Sequence, residues 1–202
     1  MKRRILSLLM VFVVTVSLCS CGTPSPTDTV DKFLNGIKTQ NNEEIKGIYA
    51  DEEFEFANEL DEEDGKELNK VLQEKMFPML MDFQYTLSNE VIDGNKATVD
   101  VTVKTYNFGG AFTNFMSNYL TQVFALAFSD SSESKIDKLA ANLLETELTD
   151  LTEKTYEETA TITLTYTENG WVIDELEDDG EVMNVLTGGI VKSVSSMNNL
   201  FE

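Results

Sequence analysis

The sequence predicts an α+β fold. N-terminal helices pack on a curved, roughly four-stranded antiparallel sheet, with a long helical pair between two hairpins and a C-terminal helix. Two stretches, 91–103 and 160–176, alternate apolar and polar residues around Gly-containing turns, as hairpins with one buried face do. Between them, residues 112–151 hold two apolar stripes at helical spacing. At 202 residues, 42% hydrophobic and 25% charged, the chain can bury a core without staples.

The first element is a leader. Lys2, Arg3 and Arg4 precede the uncharged run Ile5–Leu18, which is shorter than the ~20 residues a spanning helix needs. That pattern fits the central region of a secretory signal peptide. The run ends in Leu18-Cys19-Ser20-Cys21, which resembles the lipobox of bacterial lipoproteins: a branched aliphatic residue, two small residues, then cysteine. The resemblance implies cleavage between Ser20 and Cys21, loss of Cys19 with the leader, and a diacylglycerol group on Cys21. It also implies acyl chains such as palmitate and a domain facing the extracytoplasmic side of the cell membrane. A disulfide between residues two apart is strained, and a thiol pair without histidine is too few ligands for a metal site.

Residues 21–26 read as a short tether, and 27–202 as a single domain. Ser25-Pro26-Thr27-Asp28 offers a cap with Pro in the first turn, and Val30, Phe33, Leu34 and Ile37 follow at helical spacing. A second helix starts at Asn42, with Ile45, Ile48 and Tyr49 inward. Residues 51–76 are acidic and read as helix, ending before Pro78.

Phe83, Tyr85 and Leu87 then alternate with Gln84 and Thr86. Asp93-Gly94-Asn95 turns the chain into a strand with Ala97, Val99, Val101 and Val103 on one face. In the second hairpin Ala160, Ile162, Leu164 and Tyr166 share a face, "TENG" turns, and Trp171 to Leu176 returns.

The helical pair carries Phe112, Phe115, Met116, Tyr119, Leu120, Val123, Phe124 and Ala127 on one stripe. The other stripe is Ile136, Leu139, Ala140, Leu143, Leu144, Leu148 and Leu151. "NFGG" before the first reads as a flexible entry. After a Gly188-Gly189 break, Ile190, Val194, Met197 and Phe201 mark the last helix.

"SPTDTVDKFLNGIKTQNNEEI" and "ENGWVIDELE" resemble the opening helix and closing hairpin of nuclear-transport-factor-like (cystatin-like) domains, which implies a cone fold. Small lipoproteins of low-GC Gram-positive bacteria carry such domains. The long helical pair departs from that pattern and implies an elaborated member. The fold hosts isomerases, dehydratases and non-catalytic binding modules alike, so it does not assign an activity.

Charge and composition narrow the chemistry. Without the leader, 12 lysines face 36 acids, a net charge of −24 with no arginine and no histidine. Such a body does not neutralise phosphates, which argues against nucleic-acid binding. No side chain has an ordinary pKa near neutrality, and no zinc ligand set or triad base is available. No cofactor is called for.

Local motifs add little. Glu175, Glu177, Asp179 and Gly180 fit the start of a calcium loop, but its twelfth position is Leu186 where a bidentate Glu is required. "DEEDG" at 61–65 fails likewise, with Leu60 at position one. Met76, Met79 and Met81 offer thioethers to Cu(I), yet beside Phe77, Leu80 and Phe83 they read as core filler.

The expected function is therefore a non-catalytic, lipid-anchored binding or interaction module taking a protein or a small apolar ligand. Its pocket would be lined by Tyr85, Phe115, Tyr119, Ile162, Tyr166 and Trp171, with the 112–127 helix as a lid or as core. The alternatives are an enzyme with an acid–tyrosine pocket, and an envelope component associating through its last helix.

Overall fold

Residues 23–50, 65–127 and 133–198 are described by the structure, a computed structural model. The leader, Ser20, Cys21 and Phe201 lie outside the described residues, as do 51–64.

Helix α1, Pro26–Thr39, begins as its sequence directs. Ser25 Oγ accepts the Asp28 N–H and the Asp28 carboxylate accepts the Ser25 N–H, each at 3.0 Å, a reciprocal capping box. Its apolar stripe is buried, with Val30, Phe33 and Leu34 wholly inaccessible. It stops where Gln40 turns left-handed at φ 53° and returns its N–H to the Gly36 and Ile37 carbonyls. One helical turn, α2 (Asn42–Ile45), follows. The chain then runs beside the sheet: Ala50 N–H donates to the Ile173 carbonyl and Ile173 N–H to that of Ile48, both at 2.8 Å.

The helix expected to end before Pro78 instead continues to Met81. It is α3 (Lys66–Val71), a π-helical turn (Leu72–Met76) and α4 (Phe77–Met81). Proline lacks an N–H and its ring meets the carbonyl four residues back, so it breaks a regular ladder. Here the wide π-turn comes directly before it, and Pro78 falls in the first turn of α4, where a missing donor costs least.

Strands β1 (Gln84–Asp93), β2 (Lys96–Thr105), β3 (Tyr156–Thr167) and β4 (Gly170–Ile173) form an antiparallel sheet in sequence order. β4 is shorter than the 171–176 return expected. Alternation sets the faces as anticipated: Ala97, Val99, Val101, Val103, Ala160, Ile162 and Leu164 are buried. Between Ser88 and Val91 the β1–β2 register slips at a bulge where Asn89 takes φ 53°. Both hairpin turns lie at one end of the sheet, since Tyr166 N–H donates to the Asn95 carbonyl at 2.8 Å. The other end is where Thr105 pairs with Tyr156, and there the helices attach.

Those are α5 (Phe108–Ala127) and α6 (Glu133–Asp150), between the hairpins, then α7 (Glu181–Leu186) and α8 (Ile190–Asn198). "NFGG" is a packed helix start rather than a flexible entry. Asn107 Oδ1 accepts the Gly110 N–H at 3.0 Å, Phe108 is buried, and Gly109 N–H donates to the Gly188 carbonyl at 2.9 Å. The glycines serve close approach: a Cβ on Gly109 would sit 2.5 Å from the Gly189 carbonyl oxygen.

Two apolar clusters result. One is sandwiched between α1, α7 and the sheet; the other is made by α3, α5 and α6, with Ile190 of α8 packed on it.

Candidate functional site

The second cluster is not filled. Between its helices it leaves a half-open apolar cavity of about 250 Å³. Leu68, Leu72 and Met76 line one wall, and Phe108, Ala111, Phe112 and Phe115 of α5 another. Leu144 and Leu148 of α6 and Ile190 of α8 complete it, so the lining carries no ionisable side chain.

The walls are fixed by long-range polar contacts. α3 opens at Gly65 without a side-chain cap of its own, and α6 supplies one: Asp137 accepts the N–H groups of Glu67 and Leu68 at 3.0 and 3.1 Å. Lys75, in the π-helical turn that follows α3, pairs with Glu145 of α6. Beside this pair is a second depression of about 220 Å³ whose walls mix lysines and glutamates, including Lys70, Lys138, Glu67 and Glu74. Alternating signs in one groove offset each other.

Of the six side chains expected around one pocket, five divide between the clusters and Tyr166 belongs to neither. Ile162 is fully buried beneath α1, with Tyr85 and Trp171 packed at that cluster's margin. Phe115 lines the apolar cavity, and Tyr119 stacks on it at 5.7 Å between ring centroids. Tyr166 is 45% exposed and meets Trp171 edge-on. Strand alternation selects the inner face correctly, but α1 fills that face, so the cavity opens among the helices instead. α5 is a wall of the cavity and part of its core at once. Of the three methionines, Met76 lines the cavity, Met79 packs in the same cluster and Met81 in the other.

An acid–tyrosine pair does exist. Tyr85 donates its hydroxyl to Asp31 Oδ1 at 2.8 Å. Burial, then the hydrogen bond and charge of Asp31, push the phenol up to about 12. The contact sits on the exposed face of α1, outside any cavity described above.

A second pair was not anticipated. Tyr156 donates to Glu158 at 2.8 Å and receives Asn184 Nδ2 at 2.9 Å, while Lys192 Nζ reaches Glu158 at 3.0 Å. Burial, then the Glu158 hydrogen bond, raise the Tyr156 phenol, and Lys192 followed by Tyr156 hold the Glu158 carboxyl below its usual range. Asn184 is 1% exposed and its Oδ1 accepts the Lys192 N–H at 2.9 Å, pinning the start of α8 to β3. Its signal in the sequence was one amide inside the apolar run "VMNVL". With each side chain bonded to another, the cluster is a clamp.

Among the described residues no group of three His, Cys, Asp or Glu is placed to hold a metal ion. The loop of Glu175, Glu177 and Asp179 closes as a tight turn, Gly180 N–H donating to the Glu177 carbonyl. Nor is any described helix long and apolar enough to cross a membrane. On α8, Ile190 packs into the helical cluster and Val194 is 38% exposed.

No protein-family model matches the chain, and no curated protein matches it. A solved structure that it matches is that of a lipoprotein candidate, YcdA, from Bacillus subtilis, at 16% identity and a TM-score of 0.41. The match covers 82% of this chain and 47% of that one, so the chain spans about half the length of that protein.

Proposed function

We propose that this protein is a lipid-anchored, extracytoplasmic, non-catalytic module that binds a small apolar group among its helices. The observation that carries the reading is the cavity of about 250 Å³ with no ionisable lining residue. General acid–base or nucleophilic chemistry needs a polar group within reach of the bound molecule, and this lining has none. An apolar cavity of roughly 150 Å³ already accommodates a benzene-sized guest, so this one suits a short alkyl segment or an aromatic ring. The lipobox-like Leu18-Cys19-Ser20-Cys21 supports the anchor, and two acyl chains at ~0.8 kcal/mol per buried methylene would hold it stably.

The test is a titration with cis-parinaric acid, whose emission rises in apolar sites. The chain should bind it, and Ala111→Phe, which builds a ring into the cavity, should abolish binding while the thermal melt stays cooperative. Equal binding by both chains, or none by either, overturns the reading. The anchor is checked separately: mass spectrometry of the mature N-terminus should show a lipid-modified Cys21, and an intact Met1 in its native host refutes it.

A further inference from the structure

We propose that the hairpin-turn end of the sheet is a membrane-docking face, lying against the bilayer that carries the anchor. The proposal rests on the reading of Cys21 as the attachment point.

Three observations meet at that end. α1 starts there, because Thr27 at its first turn hydrogen-bonds Glu90, next to Val91 and Ile92 on β1. Only four residues, 22–25, separate Cys21 from Pro26. At ~3.3–3.6 Å per extended residue they keep the start of α1 within about 15–20 Å of the anchored cysteine.

Apolar side chains are also exposed at that end on both faces of the sheet, Ile92 on the side of Ala97 and Val91 on the side of Thr98. Among the described residues five large hydrophobic side chains are markedly exposed, and three of them, Val91 at 58%, Ile92 at 53% and Tyr166 at 45%, are here. Tyr166 meets Trp171 at 5.0 Å between centroids, an aromatic pair of the kind that settles at a lipid–water boundary.

A short tether makes even a weak contact persistent, since the effective concentration of the lipid surface is high. The occupant is lipid because the tether holds this end beside lipid. The charges at the turns are Asp93, Glu168 and Lys96, the last paired with Asp174. Their acidic balance favours a zwitterionic headgroup layer over an anionic one.

Trp171 is the sole tryptophan and so reports on its own position. The full chain is reconstituted in phosphatidylcholine vesicles whose acyl chains are brominated near the carbonyl, and its emission is compared with that in unbrominated vesicles. Docking predicts loss of Trp171 emission on bromination, and Val91→Ser combined with Ile92→Ser should restore it while the protein still floats with the vesicles. Both positions are exposed, so the pair should leave the melt unchanged. Floating protein without quenching, or quenching the pair does not relieve, overturns the docking and leaves the anchor standing. Protein that does not float refutes the anchor reading and the docking with it.

Discussion

Glu90 caps the first turn of a helix at a residue 63 positions before it: its carboxylate accepts the Thr27 backbone N–H at 2.9 Å and the Thr27 hydroxyl at 2.6 Å. The first-turn donors of α1 are thereby shared out. Pro26 has none, Thr27 goes to Glu90 and Asp28 goes to Ser25. A carboxylate at a helix N-terminus also meets the positive end of the helix dipole. The bulge at Asn89 is what turns Glu90 toward the helix.

Glu90→Ala should therefore lower stability by about 0.5–2 kcal/mol, the usual worth of a cap. Thermal melts of Glu90→Ala, Thr27→Val and the double variant form the cycle that isolates the contact. Valine keeps the backbone N–H, so the cycle reads the hydroxyl–carboxylate bond alone. Strict additivity of the two single losses would show that this bond contributes nothing.

Gly109→Ala should cost about 1–3 kcal/mol, because its methyl would meet backbone rather than a movable side chain. The closest atom, the Gly189 carbonyl oxygen at 2.5 Å, belongs to the turn joining α7 and α8. Chemical denaturation measures the loss. An unchanged midpoint would mean that the two turns are not in contact.

Stability should fall on acidification. Lys192, then Tyr156, hold Glu158 below the usual carboxylate range, Lys154 does so most strongly for Asp82, and Ser25 for Asp28. Groups with a depressed folded-state pKa contribute stability above the unfolded value, near 4, and lose it as pH drops through the folded one. Melting temperature should thus fall below about pH 4.5, with a shallower fall in Glu158→Gln. At the alkaline end Tyr85, raised to about 12, contributes below the ordinary phenol value and loses that contribution as pH rises through 12. Phenolate absorbance should lose its latest-titrating components one by one in Tyr85→Phe and Tyr156→Phe. Identical curves for Tyr85→Phe and the parent would contradict the Asp31 contact.

What could be read from the sequence was local. The capping box of Ser25 and Asp28 spans four residues, and the alternation of Val99, Val101 and Val103 needs only its own strand, so both were legible. The same alternation could say that Ile162 faces inward but not what meets it there. It gave no sign that Tyr166, on the same side of β3, ends 45% exposed beyond the reach of α1. α1 decides that, and it is far away in the chain. The cavity was illegible for the same reason, since it depends on how four separate helical segments fail to fill the space between Leu68, Phe115 and Leu148. Pro78 misled because a proline stops a regular helix, whereas the π-turn before it carries the chain past. Capping of α3 by Asp137 and of α1 by Glu90 leaves no sequence periodicity at all.

The bulge at Asn89 divides β1 into two halves with independent phase. Tyr85 and Leu87 are placed by pairing with Val103 and Val101, while Ile92 and Asp93 follow a register reset after the slip. Residues 91–96 therefore form an exchangeable cassette. A loop of different length or chemistry grafted there would leave the inner face of the preceding half untouched, provided Glu90 keeps its hold on Thr27.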